Sequence, residues 1–484
     1  MISDGKQRLI ADDSADPAYS QLVKWLEAKG GQSINVSGLP DPLKSWLAWR
    51  LSTDLHRRIC FLVPDELKAR AVASDLKALM DDPVFIFRPR EWNLTDVEAV
   101  SHESEYQRMA ILTRMLSNQF GAIIIPASAT LQKLPPVSLL SRQMIRLSVG
   151  QELNVAALTH QLASVGYEPV RLTDGAGQFA HRGDIVDFVP SVADDEPAEG
   201  IRISFFDREI DAIKRFDLES QRSIEMLTEV VIPPVREILT AAIHPDQLAD
   251  QILNEGQSAV LHARQKGADR NLTEHLTRVM QHDAERVRQQ IRFPALDRWL
   301  SYIYPDASSI LDYAADLNAL VIVDEPARFR HRSDAGQAEF HERIRMMLEK
   351  GQSFPSTRSI MFQSIDIGRK LDQIHPSIAM CQILSSGNGF PGARSVTIQS
   401  RPSDSYRGRE QQLITDVDEW IRSGGRAILF AGSEPREARL TQRFAEQGVE
   451  PDIFQQSLPR GFTWPGARLL VIGSQDLFGT EKRH

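Results

Sequence analysis

The stretch that decides how the middle of the chain folds reads Gly177-Gln-Phe-Ala-His-Arg-Gly-Asp-Ile-Val-Asp-Phe-Val-Pro190 and, after an acidic gap, Ile201-Arg-Ile-Ser-Phe-Phe-Asp-Arg-Glu-Ile-Asp-Ala-Ile-Lys-Arg-Phe216. A β-strand points successive side chains to opposite faces of its sheet. In the second run this alternation separates an apolar face from a mixed one: Ile201, Ile203 and Phe205 against Arg202, Ser204 and Phe206. The apolar face predicts an ordinary core. The mixed face predicts an arginine and a large aromatic ring turned towards solvent.

An exposed arginine beside an aromatic ring has the composition of a protein–protein interface anchor. A blander alternative is that Phe206 folds under a neighbouring loop while Arg202 pairs with a nearby acid such as Asp207 or Glu209. Single aromatic residues are common on protein surfaces, so the pattern alone leaves both alternatives open.

Length and composition place the chain among globular proteins with several domains. It has 484 residues, 42% of them hydrophobic and 25% charged, which is too long for one core, and we expect three or four domains. The net charge of -9 argues against a chain whose main surface binds nucleic acid, because such domains are usually basic. The two cysteines, Cys60 and Cys381, cannot form a disulfide framework, so a reducing, cytoplasmic setting is predicted. The residues 1–6 lack the apolar run of a signal peptide, and no membrane span is predicted.

The flanking segments predict an α/β fold. From residue 33 to 126, short and almost wholly apolar strands alternate with amphipathic helices, which indicates a parallel sheet covered on both faces. The run 317–323 has the same buried-strand pattern, and we expect it to return to that sheet. The predicted organisation is an α/β domain in two parts (1–142 and 232–375), an inserted α+β domain (143–231) and a small α/β domain (390–484).

A candidate phosphate-binding loop follows the first predicted strand, at Gly38-Leu-Pro-Asp-Pro-Leu-Lys-Ser45. Gly38, Lys44 and Ser45 fit the pattern G-x-x-x-x-G-K-[ST], but its second glycine is replaced by a leucine. The loop also contains two prolines, which have no amide hydrogen to donate, whereas a phosphate cradle works through backbone N–H groups. We therefore expect no nucleotide here and predict that Lys44 is a solvated residue near a helix start.

A second candidate is the acidic pair Asp324–Glu325, which follows the predicted strand 317–323. A nucleotide-hydrolysing α/β domain holds Mg²⁺ with an acid at this position. Without a working phosphate loop the pair has nothing to act on, so the sequence favours an ordinary strand-to-loop junction.

Several motifs resemble one known family. The residues in question are Phe87-Arg-Pro-Arg-Glu-Trp92, Arg182-Gly-Asp-Ile-Val-Asp-Phe188, Arg202-Ile-Ser-Phe-Phe206, Arg215-Phe-Asp217, Ser220-Gln-Arg222 and Pro233-Pro-Val-Arg-Glu-Ile238, with Gly461-Phe-Thr-Trp-Pro465 and Leu477-Phe-Gly479 near the end. Together they resemble the N-terminal module of the bacterial transcription-repair coupling factors (Mfd), which is itself similar to the excision-repair protein UvrB. The block 177–238 is the specific part, and the flanks agree in order and length.

This resemblance implies a degenerate P-loop, RecA-like parallel-sheet domain, split by an inserted domain that binds UvrA and followed by a small third domain. In the family, UvrA binding brings nucleotide excision repair to a stalled RNA polymerase. The UvrA-contacting positions match Arg182, Arg202 and Phe206. The resemblance also implies that the nucleotide-site remnant, Gly38, Lys44, Ser45, Asp324 and Glu325, is inactive.

The sequence departs from the family in two ways. Asp184 stands where the family more often has a small residue, so an acid lies beside Arg182. The sequence given stops at His484, without the polymerase-interaction domain and the two motor domains through which the family contacts RNA polymerase, DNA, ATP and Mg²⁺. For this chain we therefore expect UvrA as partner, and no cofactor, metal or catalytic residue.

Two other functions stay open as alternatives. A UvrB-like, ATP-dependent DNA-binding or helicase-type protein would need a working nucleotide site of its own. Direct DNA binding could use the basic run Ala284–Arg292, but Arg286, Arg288 and Arg292 do not share one helical face, and a solvated helix is favoured. The histidines and cysteines show no metal-ligand spacing.

Overall fold

The structure, a computed structural model, describes residues 15–28, 31–96, 101–193, 196–315, 317, 319–385 and 387–479. The N-terminal residues considered for a signal peptide lie outside these ranges. Within the described part, no helix is both long enough and apolar enough to cross a bilayer.

Strands alternate with helices between residues 34 and 126 as predicted, and the strand predicted at 317–323 forms at Ala319–Asp324. The strands are β1 Ile34–Ser37, β2 Arg58–Val63, β3 Val84–Ile86, β4 Ala122–Pro126, β5 Ile145–Ser148, β6 Glu168–Pro169, β7 Gln178–Arg182, β8 Ile185–Phe188, β9 Glu199–Phe206, β10 Glu209–Asp217, β11 Ser223–Leu227, β12 Glu229–Ile232, β13 Ala319–Asp324, β14 Ser377–Met380, β15 Arg394–Thr397, β16 Arg401–Pro402, β17 Arg426–Phe430, β18 Asp452–Phe454, β19 Phe462–Trp464 and β20 Leu469–Ile472.

The α-helices are α1 Pro17–Glu27, α2 Asp41–Leu55, α3 Glu66–Leu79, α4 Glu103–Leu116, α5 Ala127–Thr130, α6 Val137–Arg142, α7 Val155–Ser164, α8 Pro245–Gln265, α9 Arg270–Arg288, α10 Leu300–Ile303, α11 Ile310–Ala315, α12 Pro326–Glu349, α13 Ser364–Gln373, α14 Glu410–Arg422, α15 Glu434–Glu446 and α16 Ser474–Phe478. Short 3₁₀ turns occupy Thr240–Ala242, Pro294–Trp299 and Pro355–Ser359.

A seven-stranded sheet in the order β15-β1-β14-β13-β2-β4-β3 forms the centre of the largest unit. Neighbouring strands in it are parallel, and separate apolar clusters cover its two faces. The predicted α/β class is confirmed, and β13 pairs with β2 and β14, so the run expected to return to this sheet does so. Strand β15, which lies within the range 390–484 expected for the small last unit, instead pairs with β1 at the edge of this sheet.

A six-stranded sheet in the order β11-β10-β9-β8-β7-β6 occupies the middle of the chain. It is antiparallel except for the β6–β7 pair. One face packs on α7 through a core that includes Leu158, Leu162, Ile203 and Phe205. The chain enters and leaves this region through adjacent strands, because β5 and β12 pair as a two-stranded ribbon.

A buried ionic cluster fixes the exit of that middle region to the large unit. The Glu237 carboxylate accepts hydrogen bonds from Arg90 and Arg108, and its backbone N–H donates to Glu105. Arg90 also makes a two-pronged ion pair with Asp297. Because an unpaired charge is costly in such a buried place, each member of this cluster holds the others in one arrangement. Arg90 of the motif 87–92 is therefore a structural link between distant parts of the chain.

The last sheet, in the order β16-β19-β20-β17-β18, packs against the large unit. Its residues Phe462 and Trp464 share an apolar cluster with Trp46 of α2. The indole N–H of Trp464 donates to Asp16, which also caps α1. These contacts join the last sheet to the N-terminal part of the described chain.

Candidate functional site

One face of the six-stranded sheet is left uncovered by α7 and carries all three residues predicted to contact a partner. In the strand register, Arg182 lies opposite Ile185 and Ile185 opposite Ser204, which places these side chains in one row on one face. The next row along the strands runs Asp187, Arg202, Lys214 and Met226 across β8, β9, β10 and β11. We call this surface, formed by the two rows together with Phe206, the exposed sheet face.

The predicted alternation along β9 is confirmed. Ile201, Ile203 and Phe205 are buried, whereas Phe206 is 78% exposed. The alternative in which Phe206 folds under a loop is therefore wrong. An isolated apolar side chain exposed to this degree is available for contact with another molecule.

The position of Arg202 is set by a carboxylate and an aromatic ring of the same sheet. Its Nε and Nη2 each donate to the Asp187 carboxylate at 2.8 Å, and the guanidinium carbon lies 4.6 Å from the centre of the Phe216 ring. Phe216 in turn lies over Gly200, where an added Cβ would come within 2.2 Å of the ring. The expected ion pair exists, but its acid is Asp187 on the neighbouring strand rather than Asp207 or Glu209. The first cause of the raised pKa of Arg202 is the hydrogen bond to Asp187.

Arg182 stands at the turn between β7 and β8. Its Nη2 donates to the backbone oxygen of Arg171 at 3.0 Å, and its side chain is exposed. The neighbouring acid Asp184 is exposed as well, and in the residues that the structure describes it makes no ion pair with Arg182. The acid that departs from the family pattern therefore leaves the arginine accessible.

In the candidate nucleotide loop, the environment of Lys44 differs from the one that the sequence predicts. Lys44 is only 1% exposed, so the prediction that it is solvated is wrong. Its Nζ lies 2.6 Å from an Asp324 carboxylate oxygen and 2.6 Å from one of Glu325. These acids lie about 280 residues further along the chain, and parallel pairing of the central strands brings them beside α2. The junction expected at Asp324–Glu325 is the start of helix α12.

The charges in this cluster stabilise one another. Burial lowers the pKa of Lys44, but attraction to Asp324 and Glu325 outweighs burial, so the net shift is upward. Burial by itself raises the pKa of Glu325. The hydrogen bond from Lys44 is the largest of several effects that lower it, so the net pKa of Glu325 lies below its usual value. Lys44 is consequently a cation whose partners are already in place within the protein.

The remaining parts of the loop are also engaged. The backbone N–H of Gly38 donates to Gln382, and that of Leu39 donates to Cys381. The Ser45 hydroxyl donates to Asp75 at 2.9 Å, and burial raises the pKa of that carboxyl to about 7. Amides that donate to carbonyl groups of the chain do not converge on a phosphate.

The basic run at the end of α9 forms ion pairs within the protein. Arg286 donates to Asp96 and Asp283, and Arg288 donates to Asp250. Ligand atoms of Asp96, His282 and Asp283 lie within 4.8 Å of one another, a grouping that sequence spacing did not reveal. Arg286 donates to both carboxylates and Arg298 lies 3.2 Å from Asp283, so two cations compensate the charges that would attract a metal ion.

Sequence reasoning missed Asp187, Phe216 and Gly200, the residues that position Arg202. Strand pairing places Asp187 directly opposite Arg202, and Phe216 opposite Gly200. Both side chains therefore point to the same face of the sheet as Arg202. The sequence alone did not predict the pairing register of the hairpins in this region, and that register is what would have identified these residues.

Comparisons with known proteins agree with the motifs. Residues 145–237 match the family model described as the UvrB interaction domain. The chain is 26% identical over 478 residues to the transcription-repair-coupling factor of Bacillus subtilis (strain 168), covering 95% of this chain and 39% of the relative. The corresponding factor of Staphylococcus epidermidis (strain RP62A) is 23% identical over 489 residues, covering 97% of this chain and 40% of the relative. That of Staphylococcus aureus (strain MRSA252) is 21% identical over 476 residues, covering 94% and 39%.

The chain therefore spans about two fifths of the length of the curated relatives it matches. The similarity extends over almost all of the chain, and the family model covers the six-stranded sheet with its ribbon. The resemblance to the bacterial transcription-repair coupling factors that the motifs predicted is thus confirmed.

Proposed function

We propose that this chain acts in transcription-coupled nucleotide excision repair, as a module that recruits UvrA through the exposed sheet face. The single observation that carries the proposal is that Arg182, Arg202 and Phe206 share the sheet face that α7 does not cover, with Arg182 and Phe206 exposed and Arg202 partly exposed. This face lies within the residues that match the UvrB interaction domain. In the family, contacts with RNA polymerase and DNA and an ATP-driven motor belong to other domains.

The physical argument rests on the chemistry of the face. Phe206 offers a large apolar surface that loses water on binding, and Arg202 offers a planar donor that is already oriented. Arginine is among the residues enriched at interface hot spots. Asp187 already orders Arg202, so this arginine loses little rotamer freedom on binding.

Isothermal titration of UvrA with the purified chain tests the proposal. Removal of a hot-spot side chain typically costs at least about 2 kcal/mol, so Arg202→Ala and Phe206→Ala should each weaken binding roughly 30-fold. Leu261→Ala is the matched control, because Leu261 is an exposed apolar residue of α8 outside the matched region. If both face variants bind UvrA as tightly as the parent chain, the assignment fails.

We also propose that the large unit is a degenerate relative of P-loop domains that binds no nucleotide. Lys44 already forms ion pairs with Asp324 and Glu325, and two amides of the loop are bonded to carbonyl groups of the chain. A triphosphate would have to break these contacts before it gained its own. Equilibrium dialysis with labelled ATP should show no saturable binding in the micromolar range, with or without Mg²⁺. Saturable, Mg²⁺-dependent binding would instead support the alternative, a UvrB-like ATP-dependent enzyme.

A further inference from the structure

Arg202 and Phe206 alone are too small for a specific complex. Stable protein–protein interfaces bury about 800 Å² on each partner, contributed by roughly 20–30 residues. The contact must therefore extend beyond these two side chains, and the structure shows where further apolar surface lies on the same face. Because this argument concerns the surface that is proposed to bind UvrA, it rests on the proposed function.

The extension lies across β10 on the edge strand β11. Met226 stands opposite Lys214, which stands opposite Arg202, so the three side chains occupy one cross-strand row. Strands in a sheet are about 4.8 Å apart, which puts Met226 roughly 10 Å from Arg202. Met226 is 63% exposed, and Ile185, in the adjacent row, is 39% exposed. Arg202 therefore lies among Ile185, Phe206 and Met226.

The chemistry of Arg202 limits what a partner can present. Asp187 occupies Nε and Nη2, and its charge compensates that of the guanidinium. The remaining donor group, Nη1, makes no hydrogen bond to any residue that the structure describes. Asp187 takes the Nε/Nη2 edge, and Nη2 also donates to the Gln221 side chain at 3.4 Å, so a partner carboxylate would have to displace one of these acceptors to form a two-pronged pair.

We propose that the docking surface extends from Phe206 and Arg202 across Lys214 to Met226, and that it binds an apolar patch of UvrA carrying one hydrogen-bond acceptor for Nη1. In this arrangement Asp187 is a positioning residue, which holds the guanidinium over the Phe216 ring without touching the partner. Methionine suits the outer part of such a surface because its unbranched side chain adapts to the opposing shape.

Titration of the full chain with UvrA tests the extension through Met226→Glu. Placing a charge in a desolvated apolar contact should weaken binding more than tenfold. Ile365→Glu is the control, since Ile365 is 61% exposed in the first turn of α13, outside the matched region, and should leave the affinity unchanged. Circular dichroism of each variant checks that the fold is retained.

The outcomes separate the extension from the proposed function. Loss of affinity in Arg202→Ala and Met226→Glu, with none in Ile365→Glu, supports both. Loss in Arg202→Ala alone overturns the extension and leaves the proposed function standing. Loss in Met226→Glu alone supports docking through β11 and overturns the assigned anchors, and unchanged binding in both variants overturns both ideas.

Asp187→Asn tests the chemistry of the partner. If Asp187 positions Arg202 for a single acceptor, its neutralisation should weaken UvrA binding about three- to tenfold, although its side chain is almost buried. If UvrA supplies a carboxylate of its own, that carboxylate can pair with the Nε/Nη2 edge in place of Asp187, and affinity should stay equal or rise. Equal or tighter binding would overturn the single-acceptor assignment.

Discussion

Replacement of Lys44 by methionine is the most direct test of how the large unit is held together. Methionine keeps the length of the side chain and its apolar stem but removes the ammonium group. Asp324, which is 2% exposed, and the partly buried Glu325 would then lose the cation that lies 2.6 Å from each of them. The variant leaves buried negative charge uncompensated, the arrangement that costs most in a protein interior.

The magnitude follows from these distances and from burial. At an effective dielectric constant of about 20, two unit charges 2.6 Å apart attract by about 6 kcal/mol before any desolvation is counted. Removal of one member of a buried pair typically costs about 3–5 kcal/mol. Lys68, whose Nζ lies 3.8 Å from Asp324, remains as a second cation and reduces the loss. We therefore expect Lys44→Met to lower the free energy of unfolding by about 3 kcal/mol.

Urea unfolding followed by tryptophan fluorescence provides the assay, because Trp46 and Trp49 lie on the same helix as Lys44. The transition that reports on this unit should move to lower urea by about 1 M without a change of slope. Lys350→Met, at the exposed end of α12, serves as the control and should change the midpoint little. In Lys44→Met/Asp324→Asn, the second substitution should recover part of the loss because it removes the unpaired charge.

A loss below about 1 kcal/mol in Lys44→Met would refute this reasoning, because such a value is typical of exposed ion pairs. Additive losses in the double variant would refute it as well, since they would show that Asp324 and Lys44 stabilise the fold independently.

Three further variants probe other parts of the molecule. The pKa of Asp75 is about 7 in the folded chain and near 4 in the unfolded chain. Between these pH values the folded state binds more protons than the unfolded state, so stability should fall as the pH rises. Urea unfolding should show a loss of roughly 2–4 kcal/mol between pH 5 and pH 8, and this loss should be absent in Asp75→Asn. Gly200→Ala should cost about 1–3 kcal/mol in thermal unfolding, because the added methyl displaces the Phe216 ring, and retention of parental stability would contradict the contact. Glu237→Gln leaves Arg90 and Arg108 with an uncharged partner and should lower the free energy of unfolding in urea by about 3 kcal/mol. A decrease of less than about 0.5 kcal/mol would show that the cluster contributes little to stability.

Local sequence patterns predict the strands and helices well because their causes are local. The apolar runs of β2, β4 and β13 are buried on both faces of a parallel sheet, and such runs carry their own signature. The alternation along β9 predicts the orientation of Arg202 and Phe206 for the same reason, since a strand fixes which side chains share a face.

Long-range pairing explains what the sequence could not predict. Lys44 looks like a surface residue when only its neighbours are considered, and its acids lie about 280 residues away. The acid beside Arg202 was sought among the next residues of the same hairpin, but it lies 15 residues earlier on another strand. In both cases the charge is evident from the sequence, whereas its partner depends on strand order and register, which periodicity does not determine.

Two groups of ion pairs hold the exposed sheet face, one between the middle sheet and the large unit and one within the sheet. The Glu237 cluster fixes the middle sheet to the large unit, and the Asp187 carboxylate fixes the Arg202 guanidinium within that sheet. Both arrangements exist before any partner binds, so a partner would not have to order the sheet or the arginine, and less entropy would be lost on association. This separation has a measurable consequence: a change at Asp187 should alter the affinity of the face for its partner, whereas a change at Glu237 should lower stability through a site that touches no part of that face.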